Sequence, residues 1–258
     1  MTTGKSLFEL ALSCSRKPAG TGYYIVEGLR AVRQVLDLGL RPKIIVSSTF
    51  ASGNKDFLSQ FKHDEYLTVK DKMFSRIADT RTPQGIAAVM QQKHYSFDAI
   101  CAESPVFYLD HLKDPGNLGT IFRTAEAFGI RGILLSGDSV FVYNPKIVRA
   151  SLGSIESVPF HYLENCNSGI LQLKESGFSL AAMVQQDGIP LWSAKIPLKT
   201  AFCIGNEAHG LCDDVAGQCR LRLTIPMTGR MESLNAASAA AIVAYEMSRR
   251  NSGNHETL

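Results

Sequence analysis

Apolar residues recur along this chain in two rhythms: short continuous runs and helical stripes. Tyr23-Tyr24-Ile25-Val26 is a short run that predicts a strand, with Glu27-Gly28 as a turn. Leu29, Val32, Val35 and Leu36 then recur at helical spacing, and Gly39 marks the stop. Residues 43–46 and 85–90 read as two more strands, which makes residues 1–92 a small α/β unit. Residues 93–104 are polar and mixed and read as a linker. Further strands are predicted at 106–109, 132–135, 180–184, 201–204 and 223–226. These runs carry apolar residues at successive positions, the pattern of a parallel sheet buried on both faces. Leu118, Ile121, Phe122, Ala125 and Phe128 form one face of a helix. An alanine-rich stretch predicts a last helix over 234–250, capped by Ser233. The polar residues 251–258 read as a flexible tail.

The 258 residues are 45% hydrophobic and 20% charged, which excludes a disordered or fibrous chain. No run of 18 apolar residues occurs, so no membrane segment is expected. Glu9 interrupts a short apolar start, so no signal peptide is expected either. The six cysteines form no CxxC pair, which suggests a reducing, cytoplasmic setting and no metal site. Residues 1–92 hold thirteen Lys and Arg against eight Asp and Glu, whereas the rest is slightly acidic. A basic front half suits a polyanionic partner, with Arg16, Lys17, Arg30, Arg33 and Arg81 as candidates.

Three loops carry candidate chemistry. The first, Asp110 to Thr120, follows a strand and contains Asp-Pro-Gly turn chemistry. Asn117 could cap the next helix, and Arg123 lies off its apolar stripe, where an i+3 pair with Glu126 is the plain alternative. The second, Gly205-Asn206-Glu207-Ala208-His209-Gly210, also follows a strand. Its glycines permit positive φ or close backbone approach, and a tight strand-to-helix turn would explain them too. The third runs from Ile225 through Pro226, Met227, Thr228, Gly229, Arg230, Met231, Glu232 and Ser233 to Leu234 and Asn235. Ser233 suits an N-cap, but Asn235 is a poor helix former so near a helix start. In an open α/β sheet, loops at the carboxyl ends of strands are where ligands bind. The glycine fingerprints of dinucleotide sites and P-loops are missing, as are the nucleophile elbow and HExxH.

Together these loops resemble the three motifs of the SpoU/TrmH family of RNA ribose 2'-O-methyltransferases, in the SPOUT superfamily. The resemblance rests on Asn117-Leu-Gly-Thr-Ile-Phe-Arg123, on Gly205-Asn-Glu207-Ala-His-Gly210 and on Ile225 through Asn235, in that order. At the front, Val26-Glu27-Gly28 and Pro83-Gln84-Gly85-Ile86 resemble the ends of that family's substrate-binding domain. Ala208 stands where many relatives carry Gly, and Ala236-Ala237 where Val-Ser is common.

The resemblance implies an α/β chain with a C-terminal SPOUT-type α/β trefoil-knot domain over 105–250, built on a parallel sheet. It implies a small N-terminal α/β ribosomal-protein-like RNA-binding domain. It further implies S-adenosylmethionine as cofactor, RNA (rRNA or tRNA, the front domain favouring rRNA) as partner, and a homodimer whose active site joins both subunits. Arg123, Asn117, Glu207, Ser233 and Asn235 match the catalytic motif positions. Met183, Val184, Gly205, Gly210, Ile225, Met227 and Leu234 fall where the cofactor would meet three loops. The competing expectations are a non-catalytic RNA-binding or ribosome-assembly factor on the same fold, or another nucleotide-binding α/β enzyme.

Overall fold

The computed structural model describes residues 4–206 and 208–253. It divides into two compact units. One takes the chain up to Lys93 together with Phe141–Glu156; the other takes His94–Val140 and the chain from Ser157 onward.

The front unit has a four-stranded sheet of β1 (Tyr23–Glu27), β2 (Lys43–Ser47), β3 (Tyr66–Val69) and β4 (Ile86–Gln91). Their order is β1-β4-β2-β3. β4 runs antiparallel to both neighbours, while β2 and β3 are parallel. The stripe of Leu29, Val32, Val35 and Leu36 folds as the helix Leu29–Asp37, with Val32 and Val35 fully buried. Gly28, at φ 99°, makes the sharp entry into it. The backbone N–H of Gly28 donates to Ile86 O at 2.9 Å, and that of Leu29 to Gln84 Oε1 at 2.8 Å. The two front motifs are thus bonded to one another. Gly85 is required for a second reason: a Cβ there would lie 2.6 Å from Ser47 Oγ, and its φ is +81°.

A helix over Gly4–Arg16, with Ala11 fully buried, adds to this core. The segment Phe141–Glu156 belongs to the same unit, a departure from the continuous blocks 1–92 and 105–250 read from the sequence. Its anchor is chemical. Glu156 is buried, accepts a hydrogen bond from Tyr24 Oη and pairs with Lys93 Nζ at 2.8 Å. The rings of Tyr24 and Tyr143 stack at 4.6 Å.

The second unit has seven parallel strands: β5 (Val106–Leu109), β6 (Gly132–Ser136), β7 (Phe160–Leu163), β8 (Ser179–Val184), β9 (Ile189–Pro190), β10 (Thr200–Ile204) and β11 (Leu221–Thr224). Their order is β7-β6-β5-β10-β8-β11-β9. β5, β6 and β10 are buried at every position, as their unbroken apolar runs require. Because all are parallel, every strand delivers its carboxyl end to one edge. The expected linker carries a short helix, Phe97–Cys101, capped by Ser96 Oγ. Its Ile100 packs so closely on β6 that a Cβ at Gly132 would lie 2.7 Å from it.

The last helix spans Ala236–Gly253, not 234–250. Its cap is Asn235, whose Oδ1 accepts from the backbone N–H of Ala237 at 2.9 Å and of Ser238 at 3.3 Å. This corrects the assignment of the cap to Ser233 and explains a residue that helix propensity alone does not. Among the residues past this helix, 254–258 of the expected tail lie outside the described ones. No helix among the described residues is long and apolar enough to cross a membrane.

Candidate active site

The carboxyl ends of β8, β10 and β11 open into a solvent-facing cleft of about 100 Å³. Met183, Val184, Gly205, Gly210, Ile225, Met227 and Leu234 all line it, together with Ser233. The structure therefore gathers all seven residues expected to meet a cofactor into one cleft. Ile204, Gln185, Asn206, Ala236 and Ala239 complete the described lining, and none of them was among the expected cofactor contacts. No ionisable side chain is among these residues. An apolar wall with backbone amides and a few neutral polar groups suits a flat heteroaromatic base.

The loop after β10 closes on itself. Asn206 and Gly210 exchange backbone hydrogen bonds, with N···O distances of 3.0 and 2.8 Å. Gly210 adopts φ +71° to do so, and a Cβ on Gly205 would lie 2.0 Å from the Gly210 carbonyl carbon. The close approach that glycine permits is thus between two parts of the loop. Asn206 organises the rest: its Nδ2 donates to His111 O at 2.8 Å, and its Oδ1 accepts from Ala208 N at 2.8 Å. Glu207 lies outside the described residues.

Beneath this loop sits Asp110, the first residue after β5 and fully buried. Its Oδ1 accepts from Tyr108 Oη at 2.9 Å and lies 2.7 Å from His111 Nδ1; its Oδ2 accepts from Cys212 N at 2.8 Å. Burial pushes the Tyr108 phenol far above its ordinary range, so it serves here as a donor. Asp110 ties the first loop to the residues just past the second. The available signal was a carboxylate placed directly after a four-residue apolar strand.

The helix Pro115–Phe128 follows. Asp114, not Asn117, is its cap, accepting from Asn117 N at 2.7 Å. Asn117 Oδ1 accepts from Asn235 Nδ2 at 2.9 Å. The beginnings of two packed helices are joined by this bond. Arg123 lies further along the same helix, exposed, with no hydrogen bond or ion pair to any described residue, Glu126 included. Of the five expected catalytic residues, then, Ser233 lines the cleft, Asn117 and Asn235 are bonded together, and Arg123 projects to solvent.

All six cysteines are free, and no group of three or more metal-ligating side chains occurs among the described residues. Cys203, on β10, and Cys219 pack in the same core cluster; their proximity pushes the buried Cys203 thiol up and holds that of Cys219 down.

A parallel α/β sheet whose carboxyl edge opens into a cleft lined, among the described residues, by apolar and neutral polar groups fits a nucleoside-bearing ligand. The SpoU rRNA methylase family model matches residues 104–245, and an MRM3-like substrate-binding domain matches residues 5–88. The 23S rRNA (guanosine(2553)-2'-O)-methyltransferase RlmP of Bacillus subtilis (strain 168) is 34% identical over 182 residues, covering 70% of this chain and 71% of that one. A protein assigned to the TrmH family in Staphylococcus aureus (strain MSSA476) is 30% identical over 236 residues, covering 88% and 87%. The crystal structure of an AdoMet-bound rRNA methyltransferase from Sinorhizobium meliloti superposes with TM-score 0.79 at 27% identity, covering 97% of each chain. The chain belongs to the SpoU rRNA methylase family. It is an RNA 2'-O-methyltransferase that uses S-adenosylmethionine.

Proposed function

We propose that the cleft at the ends of β8, β10 and β11 holds S-adenosylmethionine, and that the chain methylates a ribose 2'-hydroxyl of ribosomal RNA at its mouth. The observation that carries this reading is the convergence of Met183, Gly205, Gly210, Ile225, Met227, Ser233 and Leu234 on one cleft whose described lining carries no ionisable side chain. When bound, the cofactor supplies an electrophilic methyl group on a sulfonium. Met183, Ile225 and Leu234 offer the base an apolar wall, and backbone groups of the three loops offer hydrogen bonds. Ser233 forms no hydrogen bond with a described residue, so its hydroxyl is available in the cleft.

The difficult reactant is the ribose hydroxyl, which is scarcely ionised at neutral pH. Positioning and stabilisation of the growing alkoxide are what the site must supply. A guanidinium is a permanent cation with five donors. Arg123 grips a phosphate of the RNA and holds positive charge against that oxygen as its proton passes to solvent water. The Asn117–Asn235 bond fixes the two helix starts between Arg123 and the cleft, and Glu207 is assigned to the same loop framework.

Ribosomal rather than transfer RNA is favoured by the rRNA methylase family model and by the RNA that RlmP acts on. The working unit is a homodimer. Tyr245 is 57% exposed and Ile242 38% exposed on the last helix, with Met231 exposed in the loop before it, an apolar surface suited to a second copy. Six free thiols suit the cytoplasm.

The test uses purified protein, methyl-labelled S-adenosylmethionine and undermodified ribosomal and transfer RNA, with the labelled nucleoside identified by mass spectrometry. A labelled 2'-O-methyl nucleoside in ribosomal RNA supports the reading. Label in transfer RNA alone, or on a base, overturns it.

A further inference from the structure

Trp192 is the only tryptophan of the chain, and 60% of its surface is exposed. Its neighbours are fixed. Ile189–Pro190 forms β9 against β11, and Leu191 N donates to Thr224 O at 2.9 Å. Ser193 N and Ala194 N both donate to Pro190 O, at 3.0 and 3.1 Å. Arg250, from the last helix, donates through Nη2 to Leu191 O at 2.6 Å and through Nη1 to Ala194 O at 2.8 Å. Glu246 Oε1 accepts from Arg250 Nε at 2.7 Å and so holds the guanidinium in place. Leu191 and Ala194, which flank Trp192 in the sequence, are buried.

A loose loop could fold such a side chain back onto apolar surface. This braced turn holds it out in water, where an indole is unfavourable. A rigid, exposed aromatic ring is what stacking on an unpaired base requires, because little ordering cost remains to be met on binding. Its position agrees. β9 is parallel to β11, so the chain leaves Pro190 at the same sheet edge where β8, β10 and β11 open into the cleft. Lys195, three residues on, is exposed and without a described ionic partner, and it suits a phosphate. A 2'-hydroxyl can be reached only on a nucleotide brought to that edge, and single-stranded RNA is recognised through splayed, stacked bases.

We propose that Trp192 is a stacking platform for an unpaired base of the RNA substrate, a specificity contact outside the cofactor cleft. The proposal rests on the reading of the chain as an RNA methyltransferase acting at this edge. Its test uses full-length protein and unmodified ribosomal RNA transcribed in vitro. Binding is measured by filter retention for the wild type, Trp192→Ala and Trp192→Phe, alongside the emission of the single tryptophan in the wild type. S-adenosylhomocysteine binding, read by thermal shift, controls for the integrity of the cleft. The expected result is quenched Trp192 emission on RNA binding, about 10-fold weaker binding by Trp192→Ala, near wild-type binding by Trp192→Phe, and an unchanged thermal shift. RNA retained with unchanged emission, or Trp192→Ala binding like the wild type, overturns the proposal. Emission that responds to protein dilution and not to RNA overturns it as well, since a second copy then covers the indole. None of these readouts needs methyl transfer, so an inactive wild-type protein would count against the function and leave the stacking result to be judged separately.

Discussion

Asn235 Nδ2 donates to Asn117 Oδ1 across 2.9 Å, and this bond joins the third motif to the first. The orientation of the Asn235 amide is fixed by its other end. Oδ1 accepts from Ala237 N and Ser238 N, which leaves only Nδ2 to face Asn117. One side chain therefore caps a helix and holds a neighbouring loop. The two duties can be separated by substitution. Asn235→Asp keeps the capping oxygen and removes the donor; Asn235→Ala removes both. We expect Asn235→Asp to melt close to the wild type and to lose at least tenfold in single-turnover methyl transfer. Asn235→Ala should lose the same activity and about 1 kcal/mol of stability besides. Equal activity in Asn235→Asp and the wild type would show that the bond does not serve the reaction.

Arg123 supplies a cleaner separation. It is exposed and bonded to no described residue, so removing it costs the fold little. Arg123→Ala should melt like the wild type and retain S-adenosylhomocysteine binding, while methyl transfer falls about 100-fold or more. Arg123→Lys should recover little, because an ammonium cannot present the paired donors of a guanidinium to a phosphate. Retained activity in Arg123→Ala would transfer the charge-stabilising role to another residue.

The contrast between these residues shows what was legible in the sequence. Each motif follows a strand, and the runs 106–109 and 201–204 before the first two are unbroken and apolar, so that edge of the sheet could be located from the sequence pattern; β11, with Arg222 and Thr224, is mixed. The family resemblance grouped Met183, Gly205, Ile225 and Leu234 about one cofactor, and the structure puts them in one cleft. The family resemblance, not periodicity, supplied the chemistry. Caps were misjudged because several polar residues stood within a turn of each helix start. Asp114 and Asn117 compete at one, Ser233 and Asn235 at the other, and only backbone direction decides between them. Asp110 and Asn206 were missed for a different reason: beyond its local partners, each reaches a distant main-chain group, Cys212 N 102 residues from Asp110 and His111 O 95 residues from Asn206. The inclusion of Phe141–Glu156 in the front unit is likewise a long-range matter, carried by contacts to Tyr24 and Lys93 that no local pattern announces.

Those contacts make Glu156 a test of the front unit. Its side chain is almost wholly buried and is held by Tyr24 Oη and by Lys93 Nζ at 2.8 Å. Removing one partner of a buried pair is costly chiefly because the other is left without compensation. Lys93 is partly exposed and can turn to water, which reduces that cost. Glu156→Ala should still destabilise the unit by about 2–3 kcal/mol, through the lost hydrogen bonds and the cavity. Denaturant titration would read this as a lower midpoint. Tyr24→Phe, which removes only the hydroxyl, should lose about 1–2 kcal/mol. A wild-type midpoint in Glu156→Ala would show that the segment is held by apolar packing alone.

Glu246 predicts a dependence on pH. Hydrogen bonds from Arg249, and then from Arg250, hold its carboxyl below the ordinary value of 4.5, against the opposing effect of burial. A group whose pKa is depressed in the folded state stabilises the fold while it is ionised. The contribution is present above the unfolded value and is lost as pH falls through the folded one. The melting temperature of the wild type should therefore exceed that of Glu246→Gln by a constant margin from about pH 6 to 8. The margin should shrink as the pH falls from about 5 towards 3. Because Glu246 also fixes Arg250 on the carbonyls of Leu191 and Ala194, the same titration should loosen the turn that carries Trp192. Melting curves of both proteins at half-unit intervals, with tryptophan emission recorded below each transition, would measure both effects. A margin that is flat down to pH 3 would mean that the two arginines do not favour the ionised carboxyl. Emission that changes in Glu246→Gln and the wild type alike would assign the loosening to another group.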